Sequence, residues 1–286
     1  MEEIKIEDKN FPEKLREIKN PPKTIYYKGK LPLSTENSFA IVGSRINSSY
    51  GKQVAIDIAE KLIDAGLVIV SGLAPGIDTF CHTVAVEKQK RTIAVLGTGI
   101  DEKSLYPKSN INLSRKIVAE GGCLLSEYPP GTAGTKFTFP QRNRIISALS
   151  LGVLVVEAKE KSGALITAEY ARKQDKKVFA IPGPIYSSNS KGCNKLIKQG
   201  AKLVENANDI LKELDIEYLA HKLGDIIGET PEENLILNAI KEESLYIDKI
   251  IEKTKLPIAV ISSTLAILEI KGKVRNLGAN IWALCN

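Results

Sequence analysis

The chain has 286 residues, 43% hydrophobic and 26% charged, the make-up of one or two folded domains rather than of a disordered or disulfide-stapled chain. No apolar run reaches the ~18 residues of a membrane helix, and Met1-Glu2-Glu3-Ile4-Lys5 lacks both the basic start and the apolar stretch of a secretory signal, so a cytoplasmic protein without membrane attachment is expected. The net charge of +6 hints mildly at an anionic partner.

Residues 1–38 are polar and broken by Pro12, Pro21, Pro22 and Pro32, and they read as an ordered lead-in rather than a domain. Short apolar runs rich in β-branched residues follow at 39–42, 68–70, 92–96, 123–125, 153–156 and 178–181. Such runs without polar alternation predict strands covered on both faces. Segments of helical length separate them; that from Tyr50 to Ala65 puts Val54, Ile58, Leu62 and Ile63 on one side. Strands alternating with helices imply right-handed βαβ units and a doubly wound, mostly parallel α/β sheet over residues 39–212, with 201–204 as an edge strand. A charged linker is expected over 213–230. Pro231 then suits the first turn of a helix, and helices are predicted at 231–241, 247–253 and 258–270. Two short strands around a glycine turn complete a winged-helix order for residues 231–286. From Glu229 to Asn286 there are 8 acidic and 7 basic residues, so the excess positive charge, +7, belongs to the preceding stretch.

Cys81, Cys123, Cys193 and Cys285 form no C-x-x-C pair, and the only histidines are His82 and His221. That pattern predicts reduced, mostly buried cysteines and no metal centre.

In doubly wound sheets ligands gather beyond the carboxyl ends of the strands, where helix amino termini offer N–H groups. At the first strand exit stand Gly43, Ser44 and Arg45: a glycine permitting close approach, a hydroxyl, and a guanidinium fork matched to phosphate. A tight turn with a solvated Arg45 would look the same. The second exit offers Ser71, Gly72 and Gly76, with Asp78 read as a helix cap; a ribose-binding acid is missing there, which argues against a dinucleotide cofactor. Gly97-Thr98-Gly99 at the third exit reads as a turn leading to Tyr106-Pro107. The fourth exit carries most information: Lys136, Phe137, Phe139, Arg142, Asn143 and Arg144 interleave cations with aromatic rings. Rings stack on unpaired bases at about 1–3 kcal/mol each while cations neutralise the backbone, although one of the two phenylalanines is expected to plug the core. Ser162 and Gly163 open the next helix, and Lys191, Asn194 and Lys195 follow Pro182-Gly183. These loops hold no nucleophile–base pair and no G-x-x-x-x-G-K-[ST] lysine loop. Binding of an anion is therefore expected, with no cofactor and no catalysis.

Taken together, Val42-Gly43-Ser44-Arg45, the run Ser71 to Asp78, Phe139-Pro140-Gln141-Arg142-Asn143-Arg144-Ile145-Ile146, the run Ser162 to Ala168, and Pro182-Gly183 resemble the DprA/Smf family over roughly residues 10–212. The resemblance implies an extended Rossmann-like fold that dimerises through the core domain. It implies a non-enzymatic protein that binds and protects incoming single-stranded DNA and loads the RecA recombinase on it during natural transformation. It also implies strand contacts by Arg45, Lys136, Phe137 and Phe139, with Arg142 and Arg144 as backbone contacts or structural braces. The tail resembles the winged-helix domain that many members carry, yet its third helix, 258–270, has no lysine or arginine. Duplex reading by that helix is therefore disfavoured relative to a protein-contact or steric role. Two alternatives are weaker. The glycine loops also resemble the lysine-decarboxylase-like phosphoribohydrolases, but the nearest stretch to their catalytic segment, Pro130 to Thr135, lacks its carboxylate. A transcriptional regulator acting through the tail meets the same uncharged helix.

Overall fold

The computed structural model describes residues 1–216, 228–241, 243–278 and 280–284. The chain divides into two compact units, Met1–Tyr218 and Leu219–Asn286.

The first unit is built on a nine-stranded sheet: β1 (Glu2–Lys5), β2 (Thr24–Gly29), β3 (Ser38–Val42), β4 (Val68–Ser71), β5 (Thr92–Leu96), β6 (Cys123–Ser126), β7 (Gly152–Val155), β8 (Lys177–Ala180) and β9 (Lys202–Leu203). Their order is β1-β2-β6-β5-β4-β3-β7-β8-β9. All neighbours from β6 to β9 run parallel, while β1 and β2 are antiparallel to their partners. Every residue of β3, β5, β6 and β7 is buried, the physical reason their sequences do not alternate. On one face Phe39, Ile41, Ile69 and Leu154 pack with α2 (Ser49–Asp64), α3 (Ile77–Glu87) and α8 (Ala207–Glu213), and α4 (Ile111–Ala119) covers the β5–β6 end. On the other face Ala40, Val70, Val95 and Val153 meet α1 (Glu13–Arg16), α5 (Thr138–Leu149), α6 (Gly163–Lys173) and α7 (Lys191–Lys198).

Two boundaries differ from the sequence expectation. Residues 1–38 do not merely lead into the core: β1 and β2 extend the sheet beyond β6, and Phe11, Leu15 and Ile25 are buried in it. A short antiparallel strand needs no crossover helix, so periodicity gives no sign of it. At the other end, α8 continues to Glu213, and Leu214 and Ile216 pack against the cluster under α2, so the core outlasts residue 212. Most of the expected linker, residues 217–227, lies outside the described residues, as do His221 and Cys285. Cys81, Cys123 and Cys193 are free and buried. No helix among the described residues is long and apolar enough to cross a membrane.

The path of α5 follows from strand order. β6 and β7 lie on opposite sides of β3, so their connection must cross the sheet, and α5 passes over β5, β4 and β3. Consequently Arg142 to Leu149 are all buried, polar residues included.

His82 of α3 is fully buried, and its Nδ1 lies 2.8 Å from the Thr92 hydroxyl, which itself donates to the Ile69 carbonyl at 2.7 Å. Nδ1 is therefore the protonated nitrogen, and Nε2 has no partner. Burial first, and the Arg142 charge second, hold its pKa down to about 3. The folded pKa lies below the unfolded one, so this contribution to stability is intact above about pH 6.5 and is lost as pH falls toward 3, at up to ~1.4 kcal/mol per pH unit. His82→Leu should flatten the decline in urea-unfolding free energy between pH 6.5 and 5 relative to the parent; parallel curves would contradict the buried neutral imidazole.

The second unit contains α9 (Pro231–Ala239), β10 (Leu245–Tyr246), α10 (Ile247–Thr254), α11 (Ile258–Ile270), β11 (Val274–Gly278) and β12 (Ile281–Leu284). Thr230 caps α9 by accepting from the Glu233 amide. Ile236, Leu237, Ile250, Ile261, Leu265, Leu268 and Trp282 form the core. β10, too short to read from sequence, joins β12 and β11 in a three-stranded wing sheet. This is the winged-helix arrangement, and α11 exposes Ile258, Ile267 and Ile270.

Candidate nucleic-acid interface

Strand order reverses direction between β3 and β7, the position at which doubly wound sheets open a crevice at their carboxyl ends. A cavity of about 390 Å³ lies there. The loop after β3 contributes Arg45, the loop before α5 contributes Lys136, the first turn of α5 contributes Phe139, the loop after β7 contributes Lys159 and Lys161, and α6 begins at the wall with Gly163. Arg45 and Lys136, far apart in sequence, therefore line one cavity. All four cations are exposed.

Aromatic rings flank these cations. The Arg45 guanidinium lies 5.3 Å from the centre of the half-buried Phe139 ring. The Lys136 ammonium lies 5.2 Å from the Phe137 ring, which is 71% exposed. The two phenylalanines differ in exposure, but neither plugs the core: Phe139 is half-buried and lines the cavity, and Phe137 is presented to solvent. Ser162 caps α6 by accepting from the Ala164 amide, so its hydroxyl is committed to the helix start that borders the cavity, where the positive end of the helix dipole favours an anion.

Several residues singled out by sequence are tied into the crest by their own hydrogen bonds: Arg144 and Ser71 lie behind the cavity wall, while Arg142, Asn143 and Ser44 also line it. Arg142 is 4% exposed; its Nη1 donates to the carbonyls of Gly72, at 2.8 Å, and Val95, and its Nε to the Asn143 side chain at 3.1 Å. Burial brings its pKa down to about 10, with Asp78 opposing the shift. Arg142 therefore clamps β4 and β5 to α5. Arg144 pairs with Glu127 in a nearly closed site; burial raises the Glu127 pKa, and Arg144 opposes it. Asn143 donates to the Gly163 carbonyl at 3.1 Å, joining α5 to α6. Both arginines are held in bracing contacts, and Arg142 also reaches the cavity wall. Ser71 is buried and donates to the Ile41 carbonyl at 2.6 Å, and the Ser44 hydroxyl is taken up by the Ile46 backbone.

The glycines serve packing between loops more than approach to a ligand. Gly76 has φ +81°, and a Cβ there would stand 2.3 Å from the Ser44 carbonyl oxygen. A Cβ on Gly43 would strike Ile77 at 2.6 Å, and one on Gly72 the Arg142 guanidinium at 2.6 Å. Asp78 is not the cap of α3, since Gly76 occupies that position. It accepts instead from the Gly72 and Ala74 amides, at 3.0 and 3.4 Å, bracing the loop from inside the helix. Burial raises its pKa, with Arg142 opposing.

Lys191, Asn194 and Lys195 are not part of this cavity wall. The Asn194 side chain bonds both the amide and the carbonyl of Gly183, holding the turn after β8, while Lys191 and Lys195 are exposed on α7. Conversely, Lys159 and Lys161 were not among the expected contacts. Their only sequence signal was a pair of cations at a strand exit, around Glu160, and nothing local marks it as part of the same crevice as Arg45. Among the described residues no cluster of histidine, cysteine or carboxylate side chains could hold a metal ion.

Known proteins resemble this chain in both sequence and fold. The family model of DNA recombination-mediator protein A covers residues 2–215, and that of the DprA winged helix domain covers residues 225–280. The DNA processing protein DprA of Bacillus subtilis is 44% identical over 212 residues, which span 74% of this chain and 70% of that protein. The X-ray structure of DprA from Streptococcus pneumoniae aligns with a TM-score of 0.69 at 45% identity, covering 76% of this chain and 75% of that one. DprA from Helicobacter pylori, whose structure is described in terms of a unique single-stranded-DNA binding mode, aligns with a TM-score of 0.65 at 33% identity over 73% of this chain and 95% of that one. With a Rossmann-like sheet and a winged-helix tail each matched in place, this chain belongs to the DNA recombination-mediator protein A family, the DprA/Smf proteins.

Proposed function

We propose that this protein binds single-stranded DNA along the crevice at the β3–β7 reversal, protects it, and loads the RecA recombinase on it during DNA uptake in natural transformation. The observation that carries the reading is the convergence of Arg45, Lys136, Lys159 and Lys161 on one cavity with the exposed Phe137 ring beside them. Cations supply phosphate neutralisation without sequence preference, and an exposed ring can stack only on a base that is free of its partner. The single-strand binding mode named for the Helicobacter pylori relative supports the choice of ligand. Membership in a recombination-mediator family supports the role toward RecA.

The protein acts here by binding, not by catalysis. Asp78 is the one carboxylate among the described residues lining the cavity, and it is engaged by two backbone amides. Dimerisation through the first unit is part of the proposal.

A competition assay tests the ligand. A labelled single strand longer than about 16 nucleotides, enough to fill such a groove, is bound to the full chain and displaced by unlabelled single strand or by duplex of the same sequence. The single strand should compete at a concentration at least about tenfold lower. Equal competition by duplex would refute the proposal.

A further inference from the structure

We infer that the strand path does not stop at Phe139 but continues into a second limb, where Tyr106 stacks on a base and Lys103 meets a flanking phosphate; the inference rests on the ligand proposed above. A cavity of about 620 Å³ opens beyond the end of β5, with Lys103, Tyr106 and Lys108 in its wall. Arg45 and Phe139 line this cavity and the first one alike, so the two limbs meet at a shared wall.

The side chains at that wall form a run. Arg45 lies against the Phe139 ring, and the Phe139 and Tyr106 ring centres are 5.7 Å apart at a tilt of 52°. Phe139 is hemmed in on other sides as well: a Cβ on Gly97 or Gly134 would fall 2.7 or 2.4 Å from its ring atoms. Its ring is therefore largely occupied by the fold and works as a spacer. Tyr106 differs. It is 50% exposed, and both its chain neighbours, Leu105 and Pro107, are buried, which fixes the backbone beneath an accessible ring. A ring anchored in this way stacks on a base with little conformational entropy to lose.

Charge in the limb favours a phosphate backbone. Lys108 folds onto the carbonyls of Glu102 and Lys103, at 2.9 and 2.6 Å, and so pins the turn from which the exposed Lys103 projects. The one carboxylate among the described lining residues, Asp101, accepts from the Ser104 amide and hydroxyl and from the Gly131 amide, tying the two walls together. Glu102, outside the lining, is paired with Arg115. Three cations, Arg45, Lys103 and Lys108, thus stand against a single engaged carboxylate.

The test compares a short oligonucleotide of about 4 nucleotides with a long one of about 12, spanning the range of known single-strand sites. Tyr106→Leu should weaken the long strand at least about fivefold, the lower end of one lost stacking contact, and leave the short strand unchanged. Tyr106→Phe should bind both as the parent does, and Lys103→Ala should weaken only the long strand. Parental affinity of Tyr106→Leu for the long strand would overturn the inference. So would an equal loss at both lengths, which would mean that Tyr106 merely props Phe139. Arg45→Ala serves as the separate control: loss at both lengths sustains the first cavity, whereas no loss at either length would refute the proposed function itself.

Discussion

Replacing Arg142 by methionine is expected to destabilise the first unit by about 2–4 kcal/mol, since each buried carbonyl left without a donor costs roughly 1–3 kcal/mol. The guanidinium is the donor for the Gly72 and Val95 carbonyls and the nearby counter-charge for the buried Asp78 carboxylate. Methionine fills similar volume but donates nothing. It would strand two carbonyls where water does not reach and leave Asp78 without its opposing charge. Adding Asp78→Asn to Arg142→Met should recover part of the loss, because the two side chains share one network and their effects do not add. Urea unfolding followed by far-ultraviolet circular dichroism checks both statements. If Arg142→Met were as stable as the parent and lost only DNA affinity, Arg142 would be a strand contact and not a brace.

How far the fold could be read from sequence varied with the kind of strand. The parallel strands announce themselves because both faces are covered: Phe39 to Val42, Ile93 to Leu96 and Val153 to Val155 are continuously apolar and buried. β2 is different, with Ile25 buried but Tyr26, Tyr27 and Lys28 half-exposed, and its partner β6 lies almost a hundred residues away. Pairing over that distance leaves no local pattern. The site shows the same division. Arg45, Lys136 and Phe137 were legible because cations and rings at strand exits have few structural uses. Arg142 and Arg144, equally cationic and in the same motif, could be told from ligands only by knowing that α5 crosses the sheet and buries them. Lys159, Lys161 and Tyr106 were hidden for the converse reason: each becomes part of a groove only when loops from different strands converge.

The second large effect concerns Arg45 and Lys136. Both are exposed, both line the first cavity, and among the described residues neither is engaged in a salt bridge with a carboxylate, so removing them costs little folding stability. Each cation that neutralises a phosphate of a single strand releases counterions and adds about 0.7 to the slope of log affinity against log salt. The Arg45→Ala/Lys136→Ala chain should therefore bind more weakly at low salt and with a slope shallower by about 1.4. Binding should not vanish, because Lys159 and Lys161 remain at the cavity. Affinity of parent and double variant for one labelled single strand, titrated across a series of salt concentrations, tests the placement of the strand most directly. Converging lines, with the variant flatter by about 1.4, are the predicted result; superimposed lines at every salt concentration would mean that the DNA lies elsewhere.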